Sequence, residues 1–167
     1  MTSSRHITGI IAVITALAVV LCLGAALLLN SPDGGGVTQE YETELFDTSE
    51  LITVNIIMDS ADWQDMLDNA IDETYYQCDV EINGQTLYSV GIRPKGNTSL
   101  STVYNDPTTE RYSFKLEFDR YVSGQTCFGL DKLVLNNNYA DATSMKEALV
   151  YDMFAFTGAD ASLYNYA

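Results

Sequence analysis

An uncharged segment of 23 residues near the N-terminus, Ile7 to Leu29, constrains this chain more than any other feature. Its only clearly polar members are Thr8 and Thr15. As an α-helix it would be roughly 34 Å long, at about 1.5 Å per residue, and a bilayer's hydrocarbon core measures about 30 Å. A core helix of a globular domain would have a polar face, whereas this segment is apolar all round. The segment therefore predicts a transmembrane signal anchor over residues 7–29.

The charges around the segment predict its orientation. Arg5 is the only fixed side-chain cation before it, and the next Lys or Arg is Arg93. The positive-inside rule then places residues 1–6 in the cytoplasm and everything after Leu29 outside, as a single-pass membrane protein. The alternative is a signal peptide cleaved near Ala26, which would release a secreted protein.

Beyond the anchor the chain is strongly acidic. Residues 30–44 form a glycine-rich acidic linker, and residues 45–167 form the folded part. The formal net charge is −15, and without Arg5 it is −16. Such a surface repels nucleic acid and anionic lipid headgroups, so no nucleic-acid partner is expected. It suits an exterior domain, a cationic partner or a metal-bound ligand.

The folded part predicts an α+β fold with a mostly antiparallel sheet and two helices. Asn83-Gly84 is a strong two-residue hairpin signal between two of the strands. Asp59-Ser60 can cap the first helix, Thr143 or Ser144 the second, and Gly158 ends the second. Strands are predicted at residues 51–58, 74–82, 86–92, 111–118 and 131–135, and helices at 61–71 and 145–156.

Histidine and cysteine usage limits the chemistry. The one histidine, His6, precedes the anchor, so the exterior part has none for a zinc site, a Ser-His triad or a histidine base. Carboxylates, lysine and magnesium remain as options. Outside the cytoplasm, Cys78 and Cys127 can form a disulfide or stay as two separate, partly buried thiols.

The first polar segment that could carry chemistry runs from Gly91 to Ser99, where a loop is expected after a strand. It holds Arg93, Lys95 and Asn97, so two of the seven exterior cations stand together. Exposed backbone N–H groups and Lys95 could hold phosphate oxygens, although the spacing is not that of a Walker A loop. The alternative is a surface turn whose cations balance nearby carboxylates.

The second polar segment, Gly129 to Asn138, ends a short strand with three asparagines. Buried amides of this kind either pair within a turn that caps the next helix or face a ligand. Glu147 stands in the first turn of that helix. It is predicted to hold Lys95, as an acid on a helix holds the phosphate-binding lysine of protein kinases. The alternative is a solvated acid favoured by the helix dipole.

These segments, in this order, resemble the N-terminal half of the CotH-type spore-coat protein kinase family. The resemblance covers about Leu51 to Gly158. The segments that carry it are Tyr76–Val80 with the Asn-Gly turn, Val90–Ser99, Ser113–Asp119, Gly129–Asn137, Asp141 and Met145–Glu147.

The resemblance implies an incomplete atypical kinase-like domain that uses ATP and Mg to phosphorylate Ser or Thr of surface or spore-coat proteins. It implies that Arg93, Lys95 and Asn97 face the nucleotide; the role of Glu147 is our own assignment. The family's catalytic and metal-binding acids lie farther toward the C-terminus. No catalytic residue or metal ligand is therefore assigned here.

The chain is expected to be a fragment, because residues 162–166 read as the opening of another strand. It is expected to be inactive by itself, because the resemblance places the catalytic and metal-binding acids farther toward the C-terminus than this chain reaches. The alternative function is a non-catalytic surface module that binds protein or carbohydrate, with which the eleven tyrosines are compatible.

Overall fold

The computed structural model describes residues 5–29 and 38–167, which fall into two compact units. The first contains helix α1 (Arg5–Leu29), and the second is Thr38–Ala167. Among the described residues, no helix combines the length and the apolarity that a membrane crossing needs. The transmembrane helix predicted over residues 7–29 is thus unconfirmed. Residues 1–4 of the predicted cytoplasmic end and 30–37 of the predicted linker lie outside the described residues.

The second unit is built on a five-stranded antiparallel sheet in the order β1-β2-β3-β4-β5, which confirms the predicted α+β class. Four helices accompany it, and the sequence predicted two of them, α3 and α5. The strands are β1 (Val54–Ile57), β2 (Tyr76–Ile82), β3 (Gln85–Lys95), β4 (Ser113–Glu117) and β5 (Lys132–Leu135). The helices are α2 (Glu40–Glu44), α3 (Ser60–Asp68), α4 (Thr98–Tyr104) and α5 (Lys146–Phe156), with a 3₁₀ turn at Ala70–Asp72.

The turn between β2 and β3 has the predicted form. Asn83 and Gly84 have φ values of 46° and 82°, as both central positions of a type I′ turn require. The Asn83 side chain also accepts a hydrogen bond from the Thr53 N–H (3.0 Å) and donates one to the Glu44 carbonyl (2.7 Å). These bonds fix the turn against the segments before β1.

One face of the sheet is apolar and forms the core. Ile92 and Leu116 are fully buried in its centre, and the Trp63 ring of α3 lies 5.3 Å from the Phe114 ring. Apolar residues of α3 and α4 complete the same cluster. The core residues of the sheet are Cys78, Val80, Ile82, Leu87, Val90, Ile92, Leu116 and Leu133, joined by Met66, Leu67, Leu100 and Val103.

Strand β3 is longer than predicted. Arg93, Pro94 and Lys95 pair with β4 instead of forming a loop, which corrects the predicted strand end at Ile92. Pairing with β2 stops at Ile92, so β3 has a free edge beyond it. A proline, which lacks an N–H, is tolerated at such an edge because no hydrogen bond is lost there.

Two side chains, those of Thr143 and Asp141, bind the first N–H groups of helix α5, where the sequence predicted a single cap at Thr143 or Ser144. Thr143 Oγ1 accepts from the Met145 N–H (3.2 Å), and Asp141 Oδ2 accepts from the Lys146 N–H (2.9 Å). Ser144 has a φ of 55° and does not cap the helix. Gly158 ends the helix as predicted, with a φ of 76° and its N–H donating to the Ala155 carbonyl (3.0 Å).

The large apolar side chains of α5 are exposed. Met153 is 67% exposed and Phe156 is 93% exposed, and no residue of this helix is buried. Nothing among the described residues covers this face.

The C-terminal segment forms no strand, contrary to the expectation for residues 162–166. It is attached by hydrogen bonds instead. The Asn165 amide donates to the carbonyls of Leu45 (3.1 Å), Asp47 (2.9 Å) and Glu50 (3.0 Å). The Tyr166 carbonyl accepts from the Ile52 N–H (3.0 Å). We call this set of contacts the Asn165 clasp.

Candidate functional site

Lys95, Asn136 and Glu147 form a continuous hydrogen-bond chain. Lys95 Nζ donates to Asn136 Oδ1 (2.9 Å), and Asn136 Nδ2 donates to Glu147 Oε2 (2.8 Å). The sequence predicted that Glu147 holds Lys95. In the structure the Asn136 amide connects the two, a role that the sequence did not assign to Asn136. Across the described ranges, no direct ion pair joins Lys95 to Glu147.

Strand register places this chain of contacts. Lys95, the last residue of β3, is directly opposite Ser113 on β4. Asn136 follows the last residue of β5, and Glu147 lies in the first turn of α5. Because the Ser113 side chain is small, Lys95 can extend across β4 to reach Asn136. The Ser113 hydroxyl in turn accepts from the Asn137 N–H (3.1 Å).

The three asparagines have different roles. Asn136 contacts Lys95 and Glu147, whereas Asn137 holds the turn by donating to the Arg111 carbonyl and accepting from the Tyr139 N–H (3.0 Å). Asn138 has a φ of 50°, a left-handed conformation that asparagine tolerates. Asn137 and Asn138 therefore belong to the turn, as one of the two interpretations predicted, and Asn136 faces the candidate site.

Arg93 lies on the same face of β3 as Lys95, but its contacts lead elsewhere. Its guanidinium forms an ion pair with Glu73 and lies 5.5 Å from the centre of the Tyr75 ring. The side chain is 20% exposed. No contact within the described part of the chain links it to Lys95, so its predicted role toward a nucleotide stays a prediction.

No contact within residues 38–167 joins the Asn97 side chain to Lys95. It lines an open depression of about 590 Å³ beside α4, with Thr98, Ser101, Thr102, Asn105, Asp106 and Pro107. The adjacent Gly96 has a φ of 136°, and a Cβ there would lie 2.8 Å from Ser99 Oγ and 3.2 Å from Leu100 Cβ. The glycine is therefore required for the entry into α4, whether or not a ligand approaches it.

Besides Arg93 and Lys95, the face of the sheet opposite the core carries two lysines that the sequence did not assign to a site. We call it the polar face and define it by Arg93, Lys95, Lys115, Glu117, Lys132 and Asn136. Glu117 Oε1 is 3.6 Å from Lys132 Nζ, and Glu117 Oε2 is 4.0 Å from Lys115 Nζ and 3.9 Å from an Arg120 nitrogen. The alternation of β4 put Lys115 and Glu117 on one face, but only the register shows their cross-strand neighbours.

The electrostatics at Glu117 reflect this crowding by cations. Hydrogen bonding by the Tyr75 hydroxyl, followed by the charges of Lys115, Lys132 and Arg120, lowers the pKa of the Glu117 carboxyl. One carboxylate thus stands among three cations on the polar face.

Gly91 makes room for the aromatic contact at the edge of the polar face. The Arg120 guanidinium lies 3.7 Å from the centre of the Tyr75 ring, within cation–π range. A Cβ on Gly91 would lie 2.6 Å from Arg120 Cδ and 3.2 Å from Tyr75 Cδ1. A side chain at this position would displace the arginine from the ring.

The described residues also bear on the binding of a metal ion. Over the described residues, no group of three or more His, Cys, Asp or Glu side chains could hold a metal ion.

Comparison with known protein families gives a match to part of the chain. Residues 92–167 match the family of CotH kinase proteins, which confirms the predicted resemblance over that segment. The matched segment contains Lys95, Asn136 and Glu147. No curated protein and no solved structure matches the chain.

Proposed function

We propose, from the match of residues 92–167 to the CotH kinase proteins, that this chain is part of a CotH-like atypical protein kinase. We further propose that the Lys95–Asn136–Glu147 chain forms part of its nucleotide site. The observation that carries this proposal is the pair of hydrogen bonds, 2.9 and 2.8 Å, inside the matched segment. In protein kinases an acid on a helix orients the lysine that contacts the phosphates; here an amide stands between them.

The residues present fit the phosphate groups of ATP. An ammonium has three hydrogen-bond donors, and the described contacts of Lys95 use one, on Asn136. The remaining donors are available to phosphate oxygens. Asn136 would keep the ammonium in place, and Glu147 would fix the orientation of the Asn136 amide.

ATP would supply the phosphoryl group for transfer to Ser or Thr of a surface or spore-coat protein. For Mg, the described residues offer no ligand cluster, so no residue is assigned to it.

Nucleotide binding by the whole chain tests this proposal. ATP with Mg should raise the unfolding temperature, since a ligand at 100 times its Kd stabilises the folded state by about 2.7 kcal/mol. Lys95→Ala should abolish the shift. Lys132→Ala is the matched control, because it removes a lysine from the same face without touching Asn136, and it should retain the shift. Absence of any shift in the unsubstituted chain would refute the nucleotide site.

We also propose that residues 7–29 anchor the chain in a membrane, with the acidic unit outside the cytoplasm. The uncharged run of 23 residues and the position of Arg5 support this. The full chain should stay in the membrane fraction after alkaline extraction and be digested by protease added from outside. Recovery in the alkaline supernatant at full length would contradict anchoring. Recovery in the medium, shortened near Ala26, would indicate the cleaved form.

The alternative, a non-catalytic surface module for protein or carbohydrate, is favoured by exposed aromatic side chains. Tyr88, Tyr104 and Tyr121 are 64%, 45% and 46% exposed. Binding to cell-wall material together with the absence of an ATP-dependent shift would favour this function over the kinase.

A further inference from the structure

We infer that Lys115 is a second phosphate-binding residue, which with Lys95 holds the phosphate chain of the nucleotide on the polar face. This inference rests on the proposed function, and it adds a residue that neither the sequence pattern nor the family match assigns. The structure carries it through strand register, through the contacts of the cations and through the spacing of the two lysines.

The register sets like charges against each other. Arg93 on β3 is directly opposite Lys115 on β4, and Lys95 is the diagonal neighbour of Lys115. Like charges that face each other across two strands are destabilising. Residues 30–167 have a net charge of −16, so cations would spread among the many carboxylates if stability alone placed them.

Lys115 differs from the other cations of the polar face in its contacts. Arg93 pairs with Glu73, Lys95 binds Asn136, and Lys132 lies 3.6 and 3.8 Å from two carboxylates. Lys115 forms an ion pair with Glu117 at 4.0 Å and shares this carboxylate with Lys132 and Arg120, and its ammonium donates no hydrogen bond within residues 38–167.

An anion would give Lys115 a closer partner than the one it has. Its side chain is 27% exposed, and its ion pair with Glu117 is the longest at that carboxylate, at 4.0 Å against 3.9 Å for Arg120 and 3.6 Å for Lys132. Because the ammonium donates no hydrogen bond within residues 38–167, its three donors are available to an anion.

The spacing favours a phosphate chain as that anion. Diagonal neighbours on adjacent antiparallel strands have Cα atoms about 7–8 Å apart, and two lysine side chains at that spacing can converge on one ligand. Successive phosphates of ATP can contact both ammonium groups at once. Lys115 would thereby contribute to binding of the phosphates and not of the base.

The test compares Lys115→Gln with Lys132→Gln in the whole chain, using ATP and adenosine as the two probes. Both variants remove one positive charge from the same face and keep most of the side-chain stem. Lys115→Gln should weaken ATP binding about tenfold or more, as loss of a charge-assisted hydrogen bond does. Its affinity for adenosine should not change, and Lys132→Gln should alter ATP binding less than about threefold.

A second measurement separates binding from a structural role. Without nucleotide, Lys115→Gln should keep or raise the unfolding temperature, because the like-charge pair with Arg93 is removed. A lowered unfolding temperature would assign Lys115 to the support of the fold and overturn the inference.

The outcomes distinguish this inference from the proposed function. If the unsubstituted chain binds ATP and Lys115→Gln binds it equally well, or if both glutamine variants weaken ATP equally, the Lys115 inference fails alone. Equal losses of ATP and adenosine would also contradict it. If the unsubstituted chain binds neither probe, the nucleotide site and the inference fail together.

Discussion

At the scale of single residues, Asp141 shows how the start of α5 is held. Its carboxylate accepts from the Thr143 hydroxyl (2.7 Å) and from the Lys146 N–H (2.9 Å). These bonds lower the pKa of Asp141 from an ordinary 3.8 to about 2, with the Thr143 hydroxyl as the largest cause. Because the folded state has the lower pKa, the contribution of Asp141 to stability is complete above about pH 4 and is lost toward pH 2.

We therefore expect acid to loosen the start of α5, which carries Glu147. Amide hydrogen exchange at Lys146, corrected for the intrinsic rate at each pH, should lose protection as the pH falls from 4 to 2. In Asp141→Ala the protection should be low already at pH 6 and should depend little on pH. Equal protection in both proteins at pH 6 would exclude this role for Asp141.

The second prediction at this scale concerns the two cysteines of the folded unit. Cys78 and Cys127 are free and buried, and burial raises their thiol pKa values to about 12 and about 11. We expect neither to react with a thiol reagent at neutral pH until the protein unfolds, when both become labelled. A reducing agent should leave the unfolding temperature unchanged; a decrease would reveal a disulfide.

The sequence left a disulfide and two thiols as alternatives because cysteine pairing depends on tertiary distances. Cys78 lies in β2, and Cys127 lies in a loop where its Sγ contacts Gln85 Oε1 at 3.7 Å. No local pattern reports that arrangement.

At the scale of elements, local signals identified the five strands of Thr38–Ala167 and missed two of its helices, α2 and α4. The β2–β3 turn needed only Asn83 and Gly84, whose backbone preference is intrinsic. Helix α4 has two serines and two threonines among its seven residues, which favour turns. It exists because Leu100 and Val103 are buried against the core, and sequence reasoning cannot see such tertiary contacts.

Substitutions in β4 and α5 test how differently these elements contribute to stability. Leu116 is fully buried and Phe156 is 93% exposed. Leu116→Ala should lower the free energy of unfolding by about 2–5 kcal/mol, since it leaves a cavity. Phe156→Ala should change it by less than about 0.5 kcal/mol. Chemical denaturation measures both, and a large loss for Phe156→Ala would show that the α5 face is covered in solution.

At the scale of the whole molecule, sequence reasoning found part of the candidate site. Lys95 and Glu147 were predicted as partners from a cation cluster and a helix position, and the structure brings them together through Asn136. Lys115 was not assigned to a site from the sequence. Its relation to Arg93 depends on the pairing of β3 with β4, which a single sequence does not specify.

The Asn165 clasp has a consequence for the order of folding. Its contact with Leu45 joins residues that are 120 positions apart in the chain, whereas the β2–β3 hairpin joins two strands that follow each other directly in sequence. Closing so long a loop costs conformational entropy that a few surface hydrogen bonds offset only once the sheet is in place. The clasp should therefore form last and open first, so that the two ends of the unit separate while the sheet persists.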